Sequence, residues 1–311
     1  MPFAVLFPGQ GSQFQGMGAD LFAARPDLLG PRADHILGWS LEEVCLAGSE
    51  ENLTRTEYAQ PALFALSYAL WEELRAALPG LPTAAAGHSL GEYSALTAAG
   101  VIDYDDALEV VAERGRAMAA ASDLEPSGMA ALLGADLAAC EAVCARRRQD
   151  GGRLFVANIN APGQVVVAGG AADLAWLESE ASSLGLRRVV PLKVAGAFHS
   201  PFMRPAAARL TTALDGVSFH PAVFPVWANV TGRPLARGDE AETLIEQVVT
   251  PVRFAQTLEG MAAIGIDLFI HVGPGDVTAG MARRAAPGCR TAVVSGLDGI
   301  RAGLEAIVTI H

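Results

Sequence analysis

The segment Gly87-His88-Ser89-Leu90-Gly91 constrains this chain more than any other. It follows a run of small residues, Thr83 to Gly87, that reads as a strand, and it opens an Ala-rich stretch, Leu90 to Ala99, that reads as a helix closed by Gly100. Glycines on either side relieve the crowding around a serine held in a strained turn. Such a turn lifts the hydroxyl above a sheet and aims the start of a helix at it. It therefore predicts Ser89 as a nucleophile, with the Leu90 N–H as an oxyanion donor. The competing reading is a glycine-flanked serine in an ordinary connection.

The rest of the chain supplies the sheet that this turn needs. Phe3 to Phe7 reads as a short buried strand stopped by Pro8-Gly9-Gln10-Gly11, with a loop rich in Gly and Gln after it. Leu63, Leu66, Leu70, Trp71 and Leu74 recur at helical spacing and predict a helix over Pro61–Leu78, and a second is predicted over Asp105–Ala121. Strand-like runs return at Val223–Ala228 and Leu268–Val272, around a helix near Glu240–Val249. This alternation predicts an α/β fold with a mainly parallel sheet covered by helices on both faces. The segment from 126 to 194 follows another order: strand Met129–Leu133, helix Leu137–Arg147, strands Leu154–Ile159 and Gln164–Ala168, helix Asp173–Leu184, strand Arg188–Val194. That βαββαβ order is the ferredoxin-like arrangement, so 126–194 reads as a subdomain inserted into a large domain made of 1–125 and 195–311.

Composition narrows the function classes. With 51% hydrophobic residues in 311, the chain can bury a full core. A net charge of −12 argues against nucleic acid or an anionic membrane as partner. Cys45, Cys140, Cys144 and Cys289 form no CxxC pair, which favours reduced thiols. Met1 to Phe7 has no basic lead and meets Pro8-Gly9 too early for a secretory leader, and no run of about 18 apolar residues is present. The expectation is a cytoplasmic enzyme.

A serine nucleophile needs a base, and six histidines compete. His311 is terminal, His35 sits in a polar helix, His220 precedes a proline without chemical company, and His88 neighbours the nucleophile but points elsewhere. His199, in Ala195-Gly196-Ala197-Phe198-His199-Ser200-Pro201, and His271, just before Gly273-Pro274-Gly275, both remain open, since either could reach the carboxyl edge of a parallel sheet. No acid stands out as the third member, but a backbone carbonyl can hold an imidazole tautomer without charge. Phe7-Pro8-Gly9-Gln10-Gly11-Ser12-Gln13 lacks the spacing of a phosphate cradle; it is either a plain turn or the source of a second oxyanion donor. Arg114, by default an exposed salt-bridging arginine, would as a buried group grip a carboxylate with two parallel hydrogen bonds.

Taken together and in order, these segments resemble one family, the malonyl-CoA:acyl carrier protein transacylases and the related acyltransferases of polyketide synthesis. The resemblance spans nearly the whole chain. It rests on Phe7–Gln13, Gln60-Pro61-Ala62-Leu63, Gly87–Leu96, Arg114-Gly115, Asn158–Gln164, Gly196–Ser200, Gln247 with Pro251-Val252, and Val272–Gly275. It implies an acylated Ser89, His199 rather than His271 as base, Gln10 and Leu90 N–H groups as the oxyanion hole, and the Gln247 carbonyl orienting His199. It also implies Arg114 on the malonyl carboxylate, and Phe198 setting the size limit at the α-carbon. The implied fold is an α/β-hydrolase-like core with a ferredoxin-like subdomain. The implied partners are malonyl-CoA and an acyl carrier protein, for a monomer with no cofactor beyond the CoA thioester substrate. Carriers of this family are acidic, so Arg187 and Arg188, or Arg146 to Arg148 and Arg153, are candidate docking residues. Rival functions are an editing hydrolase that releases stalled acyl groups, transfer of a larger acyl group, and a non-catalytic docking module.

Overall fold

The computed structural model describes residues 2–308; His311 lies outside them. Ten strands occur among these residues: β1 (Phe3–Phe7), β2 (Ala84–Gly87), β3 (Ser127–Leu133), β4 (Leu154–Ala161), β5 (Gln164–Gly170), β6 (Arg188–Pro191), β7 (Val226–Ala228), β8 (Arg233–Pro234), β9 (Leu268–Val272) and β10 (Arg290–Val294). Every residue of β1 is buried, and its side chains alternate between two cores. Phe3, Val5 and Phe7 enter one apolar cluster, Ala4 and Leu6 another. β2 divides in the same way, with Ala85 in the first cluster and Ala84 and Ala86 in the second. A continuous apolar strand is what a sheet covered on both faces selects. The large sheet runs β10-β9-β1-β2-β7-β8, and every neighbouring pair is parallel except β7 with β8.

The second sheet is antiparallel, in the order β4-β5-β3-β6, with helices Leu137–Gln149 and Ala171–Glu180 interposed in sequence. Its two faces also part. Ala130 and Leu132 join a small cluster with Cys140, Cys144 and Leu177 from those helices, whereas Met129 and Ala131 join the main core. β4 is fastened to the large unit by Ile159 N–H to Val252 O (2.8 Å) and Val252 N–H to Ala157 O (2.9 Å).

Two differences from the sequence reading affect the site. The helix expected to start at Pro61 runs over Thr56–Ala77 with Pro61 inside it. A proline so near a helix start interrupts few backbone hydrogen bonds, and the extra turn carries Gln60 inward as a buried residue. Residues 19–54, mostly left unassigned, form five short helices, too brief for periodicity to register, although Ser40 and Ser49 cap two of them visibly. No helix among the described residues is long and apolar enough to cross a membrane.

Candidate active site

The strand-to-helix turn is as tight as its glycines imply. Ser89 has φ 51°, the left-handed region that non-glycine residues rarely occupy. A Cβ on Gly87 would lie 1.8 Å from the Gly91 carbonyl carbon, and one on Gly91 would lie 2.3 Å from Phe7 O. Only glycines let helix Gly91–Ala98 turn back across β1. Asn229, at the end of β7, holds the turn from the side: its Oδ1 accepts the Ser89 N–H (2.7 Å) and its Nδ2 donates to Gly87 O (2.7 Å).

Ser89 Oγ lies 2.8 Å from His199 Nε2, and His199 Nδ1 lies 2.8 Å from the main-chain carbonyl of Gln247. A carbonyl can only accept, so Nδ1 carries the hydrogen and Nε2 is left to accept the serine proton. Burial and then the charge of Arg114 push the His199 pKa down to about 3, so the imidazole is neutral near pH 7. His199 too is at positive φ, 54°, in a loop where a Cβ on Gly196 would strike Ser122.

His271 is elsewhere. Within β9 it meets Thr278 Oγ1 (2.6 Å) at Nδ1 and the carbonyls of Gly273 (3.0 Å) and Pro274 (3.3 Å) at Nε2. Of the two histidines that spacing left open, only His199 lies against Ser89, and His271 braces the turn at Gly273. His88 faces away from the nucleophile to Asn160 Oδ1, at 2.7 Å. His220 and His35 are exposed.

Arg114, from helix Tyr104–Ser122, is 1% exposed, which overturns the default of a surface salt bridge. It donates to Gln60 Oε1, to Gln247 Oε1 (2.9 Å) and to Ser89 Oγ (3.0 Å), and its guanidinium stands 5.6 Å from the Tyr93 ring centroid. None of these hydrogen-bond acceptors is a carboxylate, and its Nε has no partner. Burial lowers the Arg114 pKa, the cost of a cation held without a counter-ion in contact. The network continues from Gln60 to Thr56 Oγ1 (2.7 Å), which donates to Gln10 Oε1 (2.8 Å), so Gln10 is tied to the arginine.

These groups open on a cavity of about 420 Å3 between the two sheets. Gln10, Ser89 and Leu90, just past β1 and β2, and Arg114 from its helix line it on one side, and Met129, Asn158 and Val166 of the small sheet on the other; Phe198 and His199 stand on the loop after β6. Lys193, the only lysine of the chain, lines it as well. Arg187 and Arg188 are exposed at edge strand β6 and do not line the cavity. Arg147 pairs with Asp173, Arg148 with Leu154 O, and Arg153 with Glu125, so these three are already engaged internally. Three contributors were given no role by the sequence reading: Asn229, and Gln60 and Glu92, which lie within the segments that carry the resemblance, Glu92 with its hydrogen bond from the Gln247 side chain. An acid in the first turn of a helix ordinarily reads as a partner of the helix dipole, and an Asn after a strand carries no signal at all.

The acyl transferase domain family matches residues 5–294. The malonyl CoA-acyl carrier protein transacylase of Bacillus subtilis is 39% identical over 308 residues, covering 98% of this chain and 96% of its own. Among solved structures, the malonyl-CoA:acyl carrier protein transacylase of Xanthomonas oryzae superposes with a TM-score of 0.92 at 36% identity, over 98% of this chain and 99% of that one. A malonyl-transacylase in complex with a type II polyketide synthase acyl-carrier protein superposes with a TM-score of 0.93 at 34% identity, over 98% of this chain and 100% of that one.

Proposed function

The chain belongs to the acyl transferase domain family, and from that premise we propose that it moves a malonyl group from malonyl-CoA to the phosphopantetheine thiol of an acyl carrier protein through an ester on Ser89. The observation that carries this reading is a cation without a counter-ion in contact beside a nucleophile: Arg114 is buried, hydrogen-bonds no carboxylate, and sits 3.0 Å from Ser89 Oγ. A malonyl thioester brings the missing carboxylate one methylene away from the carbon to be attacked.

His199 Nε2 takes the hydroxyl proton as Ser89 Oγ adds to the thioester carbon, and the oxyanion is held by the Gln10 and Leu90 N–H groups. Collapse breaks the C–S bond, the proton on His199 passes to the departing sulfur, and the malonyl ester remains on Ser89. The carrier thiol then gives its proton to His199 as its sulfur attacks the ester. The second collapse returns Ser89 with that proton. The 2.8 Å contacts on both nitrogens of His199 support its part. Its lowered pKa leaves it free to accept a proton at neutral pH. No prosthetic group enters either half-reaction. Phe198, buried at the cavity wall, is the residue we assign to limiting bulk at the α-carbon, which favours malonyl over methylmalonyl groups by about 10–200-fold.

The strand order β4-β5-β3-β6 supports reading 126–194 as a ferredoxin-like subdomain on an α/β-hydrolase-like core of 1–125 and 195–311. Arg187 and Arg188, with the exposed Arg146, are the candidates for meeting an acidic carrier, because Arg147, Arg148 and Arg153 have partners within the chain. The test is intact-protein mass spectrometry after exposure to malonyl-CoA, acetyl-CoA or methylmalonyl-CoA, followed by addition of holo carrier protein. The expected result is a malonyl adduct that Ser89→Ala abolishes and the carrier discharges. Preferential acetyl loading, or an adduct lost to water as fast as to carrier, would favour another acyl specificity or the editing hydrolase.

A further inference from the structure

Glu92 has no part in the chemistry above, yet the site converges on it. It is fully buried in the first turn of helix Gly91–Ala98, and among the described residues it takes part in none of the ion pairs. One carboxyl oxygen, Oε2, accepts from Gln247 Nε2 (2.5 Å) and from the Asn229 N–H (3.2 Å); the other, Oε1, has no partner. Burial pushes its pKa up to about 7, against the pull of those hydrogen bonds and of Arg114.

The two residues that meet on Oε2 hold the site together. Asn229 fixes the Ser89 backbone. Gln247 does three things: its main-chain carbonyl orients His199, its Oε1 accepts from Arg114, and its Nε2 donates to Ser89 O (3.0 Å) as well as to Glu92. A carboxamide has nearly the same shape with O and N exchanged, so only its neighbours decide which way it points. Here the neighbours are one-sided. Arg114 can only donate, whereas the Ser89 carbonyl and Glu92 Oε2, which also takes the Asn229 N–H, both accept. An exchanged Gln247 would set NH2 against guanidinium and oxygen against those two acceptors.

From this juxtaposition we infer that Glu92 is a positioning residue for acyl selection: together with the Ser89 carbonyl it holds the orientation of the Gln247 carboxamide and thereby aims the Arg114 guanidinium at the carboxylate of the incoming acyl group. The inference rests on the functional reading above. It separates Glu92 from Ser89 and His199, because the Gln247 contact with His199 is made by the main chain and needs no particular carboxamide orientation.

The test uses Glu92→Gln, which keeps size and one acceptor but no longer forces Nε2 toward it, together with Gln247→Leu and the double variant. Specificity constants for malonyl-CoA and acetyl-CoA are measured beside the rate at which a fluorophosphonate labels Ser89. Glu92→Gln should lower the malonyl to acetyl ratio about tenfold, mostly through the malonyl KM, with labelling changed less than about threefold. In the double variant Glu92→Gln should add nothing to the fall caused by Gln247→Leu, since the effect travels through that side chain. An unchanged ratio in Glu92→Gln, a parallel loss of malonyl, acetyl and labelling rates, or additive losses in the double variant would each overturn the inference. A wild type without malonyl preference would instead sink the functional reading itself, and this inference with it.

Discussion

At the scale of single residues, Arg114 separates the proposed reaction from its rivals. Its planar fork is held by Gln60 and Gln247 on carboxamide oxygens, which leaves its charge uncompensated until an anion arrives. Arg114→Ala should therefore lower malonyl transfer by about 2–5 kcal/mol in kcat/KM while acetyl transfer falls little or rises. Arg114→Lys should recover only part of the loss, because an ammonium cannot reach both carboxamides and a carboxylate in one plane. Stopped-flow or coupled assays of both substrates decide it, and a malonyl to acetyl ratio that neither substitution moves would remove Arg114 from acyl recognition.

At the scale of elements, helix Gly91–Ala98 crosses β1 so closely that the fold tolerates no added atom there. A methyl on Gly91 would sit 2.3 Å from Phe7 O and 2.8 Å from Pro8 O, both backbone atoms fixed by the sheet. Gly91→Ala should cost about 3 kcal/mol or more and abolish the acyl adduct, since relieving the clash moves the nucleophile relative to the Gln10 loop. Gly80→Ala, in open space with no heavy atom within 4 Å, is the matched control and should leave stability within about 0.5 kcal/mol of wild type. Urea unfolding of the two variants reads the difference; an active Gly91→Ala with an unshifted midpoint would mean that the crossing is not tight.

For the whole molecule, the buried histidines set how stability responds to acid. Burial lowers the pKa of His88, that of His199 to about 3 and that of His271 to about 4, whereas in the unfolded chain each titrates near 6.5. Below pH 6.5 the unfolded state therefore takes up protons that the native state refuses, and stability falls by about 1.4 kcal/mol per pH unit for each of His199 and His271, with His88 acting in the same direction. Glu92 acts in the opposite sense: raised to about 7 from 4.5, it contributes stability present below 4.5 and lost as pH rises through 7. His199 and His271 against one carboxyl leave a net loss on acidification. The urea midpoint should fall between pH 7 and 5, and His271→Gln, remote from the reacting groups, should flatten that fall. A level midpoint, or an undiminished slope in the variant, would show that these histidines are not held neutral.

How far the sequence reaches is visible in particular residues. Gly87-His88-Ser89-Leu90-Gly91 fixes its own turn, because the glycine requirement and the strand-to-helix change are local and written in consecutive positions. The alternation of apolar strands and helices likewise predicts the mainly parallel sheet, since periodicity records which side of an element is buried. Spacing alone could not choose between His199 and His271, which only the family resemblance separated, because both are buried and hydrogen-bonded, His199 on a loop and His271 in β9, and the distance to Ser89 is what distinguishes them. Nor could spacing tell a buried Arg114 from an exposed one, or give Gln60, Asn229 and Glu92 a role. Each of these owes its place to a partner 25 to 155 residues away along the chain, as the pairs Arg114–Ser89 and Glu92–Gln247 mark the extremes. Hydrogen bonds of that range form only after two sheets and a long helix have packed, and tertiary packing alone decided them.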